Sequence, residues 1–201
     1  MARSSSDLEA WPDYVQASSS CLGELIVTTA DGALVTPEDG FRRWIEITHE
    51  GDAHGQRIYF IGNGASAMMA GHFAADACKN GRLNAMAFND AALLTAVGND
   101  EAFAELFALP LSRLAREGDL LIAISSSGNS PNILRALDVA KAMSMQIITV
   151  TGKSADNRAR TRGELNFYVP ADRYGWVECA HQLILHYWLD QFLNLHREGA
   201  L

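Results

Sequence analysis

From about residue 57 onward the chain alternates short apolar runs with longer segments whose apolar residues recur every three or four positions. The runs fall at 58–61, 85–88, 120–125, 146–151 and 165–169. Such unbroken runs, with no polar alternation, read as strands covered on both faces, as in a parallel sheet. The intervening segments read as helices over 67–79, 91–97, 101–116 (broken near Pro110) and 132–143. A short helix is expected after the fourth strand, and a long one over 174–195 closes the pattern. Strands separated by helices imply right-handed crossovers with helices on both faces. The expected fold class is therefore α/β: a three-layer α/β/α sandwich with a central parallel five-stranded sheet.

Upstream of residue 57 the pattern differs. Residues 7–25 carry a helical repeat through Leu8, Trp11, Tyr14, Val15, Leu22 and Leu25, weakened by Pro12 and the serines at 18–20. Residues 28–36 are turn-rich. A second helix is expected over 37–50, with Thr36 as N-cap and Pro37 in its first position. Neither helix has an obvious sheet partner. The expected division is an N-terminal helical extension over 1–56, packing on the core or on a neighbouring subunit, and a main domain over 57–201.

Composition narrows the functional classes. With 201 residues, 48% hydrophobic and 20% charged, the chain has room for one large globular domain plus an appended element. A net charge of −8 argues against a nucleic-acid backbone as main partner. Cys21, Cys78 and Cys179 lie far apart, which disfavours a zinc knuckle or a disulfide framework and suits reduced thiols in a cytoplasmic protein. No stretch has the length of a membrane span, and the N-terminus lacks the apolar core of a signal peptide.

In open α/β sheets, ligands bind beyond the carboxyl ends of the strands. Two turns occupy such positions here. The turn after the third strand carries Ser125, Ser126, Ser127 and Ser130 around Gly128 and Asn129, with Ser130 a candidate N-cap and Pro131 in the first helical position. Hydroxyls at a strand-to-helix junction, beside the free N–H groups of a helix start, suit phosphate. The same composition also makes ordinary turns, and it is not a Walker A loop. After the first strand comes Gly62-Asn63-Gly64-Ala65-Ser66, whose glycines permit positive φ and whose Ser66 could cap the following helix. On that helix His72 and Asp76, four apart, share a face. On the closing helix Glu178 and His181 share a face, and His186 lies just over two turns past Glu178. Each pair alone is more often a structural contact than a reactive one.

The order of motifs is more specific than any one of them. Gly62–Ser66, His72-Phe73-Ala74, Val97-Gly98-Asn99-Asp100, Ser125–Ser130, Thr149-Val150-Thr151-Gly152-Lys153 and a late histidine resemble a sugar isomerase (SIS) domain. Within that group the chain is most similar to the sedoheptulose 7-phosphate isomerases, over about residues 57–195. The resemblance implies an aldose–ketose isomerase working through an enediol. It implies that Ser125, Ser126, Ser127 and Ser130 hold the sugar phosphate while Asn63, Ser66 and Asp100 contact the sugar chain. It further implies a homotetramer with active sites at subunit interfaces, and a zinc ion. Metal ligands map onto His72, Asp76, Glu178 and His186, and acid–base groups onto Asp76, His186 and Glu178. The chain departs from the family in having Asp76 where relatives have Glu and Glu178 where they have Gln, so the base is Asp76 or Glu178. The segment 78–85 is also shorter, with Arg82 the stand-in for a substrate-binding arginine. The alternatives are a non-catalytic relative that binds the bacterial replication initiator, and a sugar-phosphate sensor.

Overall fold

A computed structural model describes residues 8–197. A single seven-stranded sheet, ordered β2-β1-β7-β6-β5-β3-β4, runs through the molecule. Five strands are parallel: β3 (Ile58–Gly62), β4 (Ala85–Ala87), β5 (Leu120–Ser125), β6 (Gln146–Gly152) and β7 (Leu165–Val169). Every residue of β3, β5 and β7 is buried, as expected of strands covered on both faces.

The other two strands correct the expectation of five. β1 (Ile26–Thr29) and β2 (Leu34–Val35) form an antiparallel hairpin, and β1 pairs antiparallel with β7 at the sheet edge. The segment before residue 57 is therefore not helical alone: part of it belongs to the sheet. The β-branched run Ile26-Val27-Thr28-Thr29 followed by Asp31-Gly32 is a hairpin signal that the turn-rich reading of 28–36 passed over. Around the hairpin lie α1 (Trp11–Gly23) and α2 (Pro37–Ala53), the latter capped as expected, with the Asp39 N–H donating to Thr36 Oγ1 at 3.1 Å.

Helices α3 (Ala65–Lys79) and α7 (Tyr174–Arg197) cover the same sheet face as α2. Its centre is aromatic. Trp44 of α2 stacks on Trp188 of α7 at 4.9 Å and tilts against Phe167 of β7 at 5.0 Å. Trp188 Nε1–H donates to Thr48 Oγ1 at 3.1 Å, so the buried indole is satisfied where the two helices meet. Helices α4 (Ala91–Asp100), α5 (Glu105–Leu114) and α6 (Pro131–Ala142) cover the opposite face. Pro110 lies inside α5 without ending it, and between β6 and β7 there is a turn-rich connection rather than the expected short helix. Among the described residues no helix is long and apolar enough to cross a membrane.

The topology places the site. From β3 the chain moves outward to β4, then returns to the other side of β3 to lay down β5, β6 and β7. Helix α3 leaves β3 on one face and α6 leaves β5 on the other. A crevice opens at such a switch point, beyond the carboxyl ends of the two strands, here β3 and β5.

Candidate active site

Both sequence-predicted turns meet in that crevice, because β3 and β5 are paired in parallel with Gly62 opposite Ile124. At Gly62 a Cβ would lie 2.5 Å from the Ser66 carbonyl group, so only glycine lets α3 begin this close to the strand. The N-cap of α3 is Gly64 and not Ser66; Ser66 lies in the first turn, buried, with its side chain part of the crevice wall. Across the crevice the Gly128 N–H donates to Ser125 Oγ (3.2 Å) and to the Ser125 carbonyl (3.1 Å), and the Asn129 N–H donates to Ser127 Oγ (3.2 Å). Gly128 has φ +61, and a Cβ there would stand 2.0 Å from Asn157 Oδ1. Ser130 occupies the N-cap position of α6 without a side-chain capping bond, which leaves its hydroxyl to the crevice.

The two turns are latched together. The Asn63 amide donates to Asn132 Oδ1 at 3.0 Å, and the Asn132 amide donates back to Asn63 Oδ1 at 2.8 Å. Asn132 is fully buried in the first turn of α6, and its Oδ1 also accepts the Ile133 N–H at 3.1 Å. The sequence reading gave Asn63 to the sugar; its first commitment in the fold is to Asn132, which that reading did not single out.

The crevice encloses about 260 Å³ and is lined by Asn63, Ser66, the serines at 125, 126, 127 and 130, and two residues of α7, Tyr174 and Glu178. A second cavity of about 430 Å³ adjoins it in the groove between α3 and α7, lined by Met68, His72, Cys179 and Gln182 among others. Ala65 and Glu178 line both. Glu178 thus stands at the junction of the hydroxyl-rich crevice and the histidine-bearing groove. Tyr174, which no motif pointed to, carries Lys153 Nζ at 3.7 Å from its ring centroid, bringing a positive charge against the crevice wall.

The other predicted residues group near the groove. His72 Nε2 lies 3.4 Å from Asp76 Oδ2, and Asp76 Oδ1 accepts from the Asn80 amide at 3.3 Å. The His186 ring stands edge-on to Phe73 (4.8 Å) and to His72 (5.7 Å). His72, Asp76 and His186 are thereby neighbours, with His72 the one that lines the groove. Asp100 ends α4, accepts from the Asn99 amide at 2.8 Å, and lines neither cavity. Arg82 is exposed in a left-handed backbone conformation (φ +56) and also lines neither. His181, one turn beyond Glu178, faces inward: it is fully buried, neither ring nitrogen makes a hydrogen bond, and burial pushes its pKa down to about 4. The Thr151 backbone, near enough to pull that value partly back, does not reach hydrogen-bond geometry.

The zinc set expected from the resemblance does not assemble in one chain. Among the described residues no three His, Cys, Asp or Glu side chains converge on a point where they could hold a metal. His72, Asp76, Glu178 and His186 are near one another but do not form a preassembled site.

Comparison with known proteins agrees with this geometry. The family model of the SIS domain matches residues 26–152, a span that takes in the β1–β2 hairpin and both crevice turns. The chain belongs to the SIS domain family. Within it, the chain is 38% identical over 152 residues to the phosphoheptose isomerase of Bordetella avium, covering 71% of this chain and 76% of that protein. Among solved structures, a phosphoheptose isomerase from Francisella tularensis superposes with a TM-score of 0.78 at 28% identity, covering 91% of this chain and 95% of that one. The phosphoheptose isomerase of Neisseria gonorrhoeae gives 0.77 at 29% identity, covering 90% and 96%. This SIS domain therefore shares its fold with phosphoheptose isomerases over about nine-tenths of its length.

Proposed function

We infer that the chain is an aldose–ketose isomerase of phosphorylated sugars, converting sedoheptulose 7-phosphate to D-glycero-D-manno-heptose 7-phosphate. Its membership among relatives named phosphoheptose isomerases supports the reaction. The observation that carries the reading is the position of Glu178, shared between the serine-lined crevice and the histidine-bearing groove. With the phosphate in the crevice, a long sugar chain leaves its far end, the carbonyl end, in the α3–α7 groove.

The chemistry needs a base at the carbon beside the carbonyl and an acid at the carbonyl oxygen. The Glu178 carboxylate takes a proton from C1 of the ketose. The C–H electron pair becomes the C1=C2 bond of the enediol, and the C2 oxygen takes a proton from His72, which Asp76 orients at 3.4 Å. Return of the proton from Glu178 to C2, with the O1 proton passing back to His72 as the C1 carbonyl forms, completes the aldose and restores both groups. The serine hydroxyls and the α6 N-terminus hold the phosphate without entering these steps.

The same reading extends to assembly as a homotetramer. Met68, which lines the groove on α3, is 76% exposed, and Leu183 is a further exposed apolar residue of α7, which supports a second copy covering this side of the molecule. The direct test is purified protein with sedoheptulose 7-phosphate, following aldose formation. Turnover supports the reading; saturable binding without turnover would replace it with a sugar-phosphate sensor.

A further inference from the structure

A cleft outside the active site lies between the β1–β2 hairpin and the 153–164 connection that joins β6 to β7. It encloses about 440 Å³ and shares no residue with the crevice or the groove. Three arginines at alternate positions, Arg158, Arg160 and Arg162, line it with a single acid, Asp156. In a chain of net charge −8, a cavity lined by three cations and one anion is a local reversal of sign.

The three guanidiniums are not equally occupied. Arg162 is held by the Asp138 carboxylate and by the Leu134 carbonyl (3.2 Å), and so serves to fasten the connection to α6. Arg160 lies over the Tyr168 ring at 4.4 Å from its centroid and donates to the Ala155 carbonyl at 2.5 Å, which fixes its plane but uses few of its five N–H groups. Arg158 is exposed and, among the described residues, its guanidinium has neither an ion-pair partner nor a hydrogen-bond acceptor. Its backbone, by contrast, is fixed: the Arg158 N–H donates to Asn129 Oδ1 and the Ala159 N–H to the Gly128 carbonyl, each at 3.0 Å. A fourth lining residue, Asn157, is 3% exposed; its amide donates to the Ser154 carbonyl at 2.8 Å and its Oδ1 packs against Gly128, which fixes the floor of the cleft.

We propose that this cleft is a second anion site, taking a small ligand whose phosphate or diphosphate group is gripped by Arg158 and Arg160. Planar guanidinium forks match phosphate oxygens two at a time. A long polyanion is disfavoured by the acidic remainder of the surface. The site is separate from the one that binds substrate, so it holds whether or not the isomerase reading does.

Inorganic pyrophosphate is the probe, titrated calorimetrically into the full chain at low ionic strength. To silence the crevice, the background is Ser126→Ala/Ser127→Ala. In that background pyrophosphate is expected to bind saturably and to weaken as salt is added. Adding Arg158→Gln/Arg160→Gln is expected to lower the affinity at least tenfold. Because Arg160 also packs on Tyr168, Arg158→Gln alone serves as the variant with unchanged thermal unfolding, and it is expected to weaken binding severalfold. Absence of binding in the serine background, or binding that the arginine substitutions leave unchanged, overturns the proposal.

Discussion

Glu178→Gln is the sharpest perturbation of this site. It preserves the length and hydrogen-bonding shape of the side chain and removes only its capacity to take a proton. Glu178 is the one carboxylate among the described residues that line the crevice and the groove. The alternative, Asp76, is engaged by His72 at 3.4 Å and by Asn80 at 3.3 Å, and it lines neither cavity. No second carboxylate is therefore in place to take over. A positioned general base contributes about 10²- to 10⁴-fold, which is about 3–5 kcal/mol of barrier. The expected outcome is a kcat lowered at least ~100-fold with little change in KM, since the serine turn proposed to hold the phosphate is untouched. The assay is aldose formation from sedoheptulose 7-phosphate, with substrate affinity measured separately by calorimetry. The companion variant Asp76→Glu/Glu178→Gln reinstates the carboxylate arrangement expected of the relatives. If Glu178→Gln keeps more than about a tenth of the wild-type kcat, a deficit under 1.4 kcal/mol, the assignment of the base is refuted. Recovery in the double variant would move the base to α3.

Gly128→Ala forces a side chain into a left-handed residue and against Asn157 Oδ1, 2.0 Å from the new Cβ. It should cost about 1–3 kcal/mol in urea unfolding and raise KM for the sugar phosphate; an unchanged midpoint would show that the turn relaxes freely. His181 is buried neutral, with a pKa of about 4 against an ordinary value of 6.5. Between those values the unfolded chain binds a proton that the folded chain refuses, so stability is full above about pH 6.5 and falls as pH drops towards 4, by up to about 3 kcal/mol. Urea midpoints at pH 7.5 and 5 should therefore differ more in the wild type than in His181→Leu, and equal differences would contradict the burial argument. The donors as placed predict that dialysed protein retains well under one zinc per chain by elemental analysis. One firmly held zinc, lost in both His72→Ala and His186→Ala, would show that the donors regroup.

Much of the fold was legible because its signals are local. The runs at 120–125 and 165–169 correspond residue for residue to β5 and β7, since a strand covered on both faces needs apolar residues throughout. Thr36 and Pro37 announced the start of α2 because capping is satisfied within one turn. The short β1–β2 hairpin escaped because it is stable only through pairing with β7, some 140 residues later. The crevice was legible in its residue types but not in its commitments: nothing near Asn63 in sequence shows that its amide is spent on Asn132.

The sequence by itself determined the layered α/β architecture, the serine turn as a candidate phosphate seat, and the acids and histidines that are candidates for a reactive group. Hydrophobic period, turn chemistry and helix-start electrostatics act over a few residues, and so are written in the order of the chain. Only the tertiary structure decided which carboxylate meets the crevice. Glu178 and Asp76 sit on helices separated by nearly a hundred residues, and the packing of α3 against α7 places Glu178 at the cavity junction while Asp76, paired within its own helix to His72, lines neither cavity. The same holds for the arginine cleft, where a hairpin from the start of the chain closes over a loop from its end. Such sites depend on which surfaces the sheet brings together, and that is a property of the whole packed molecule.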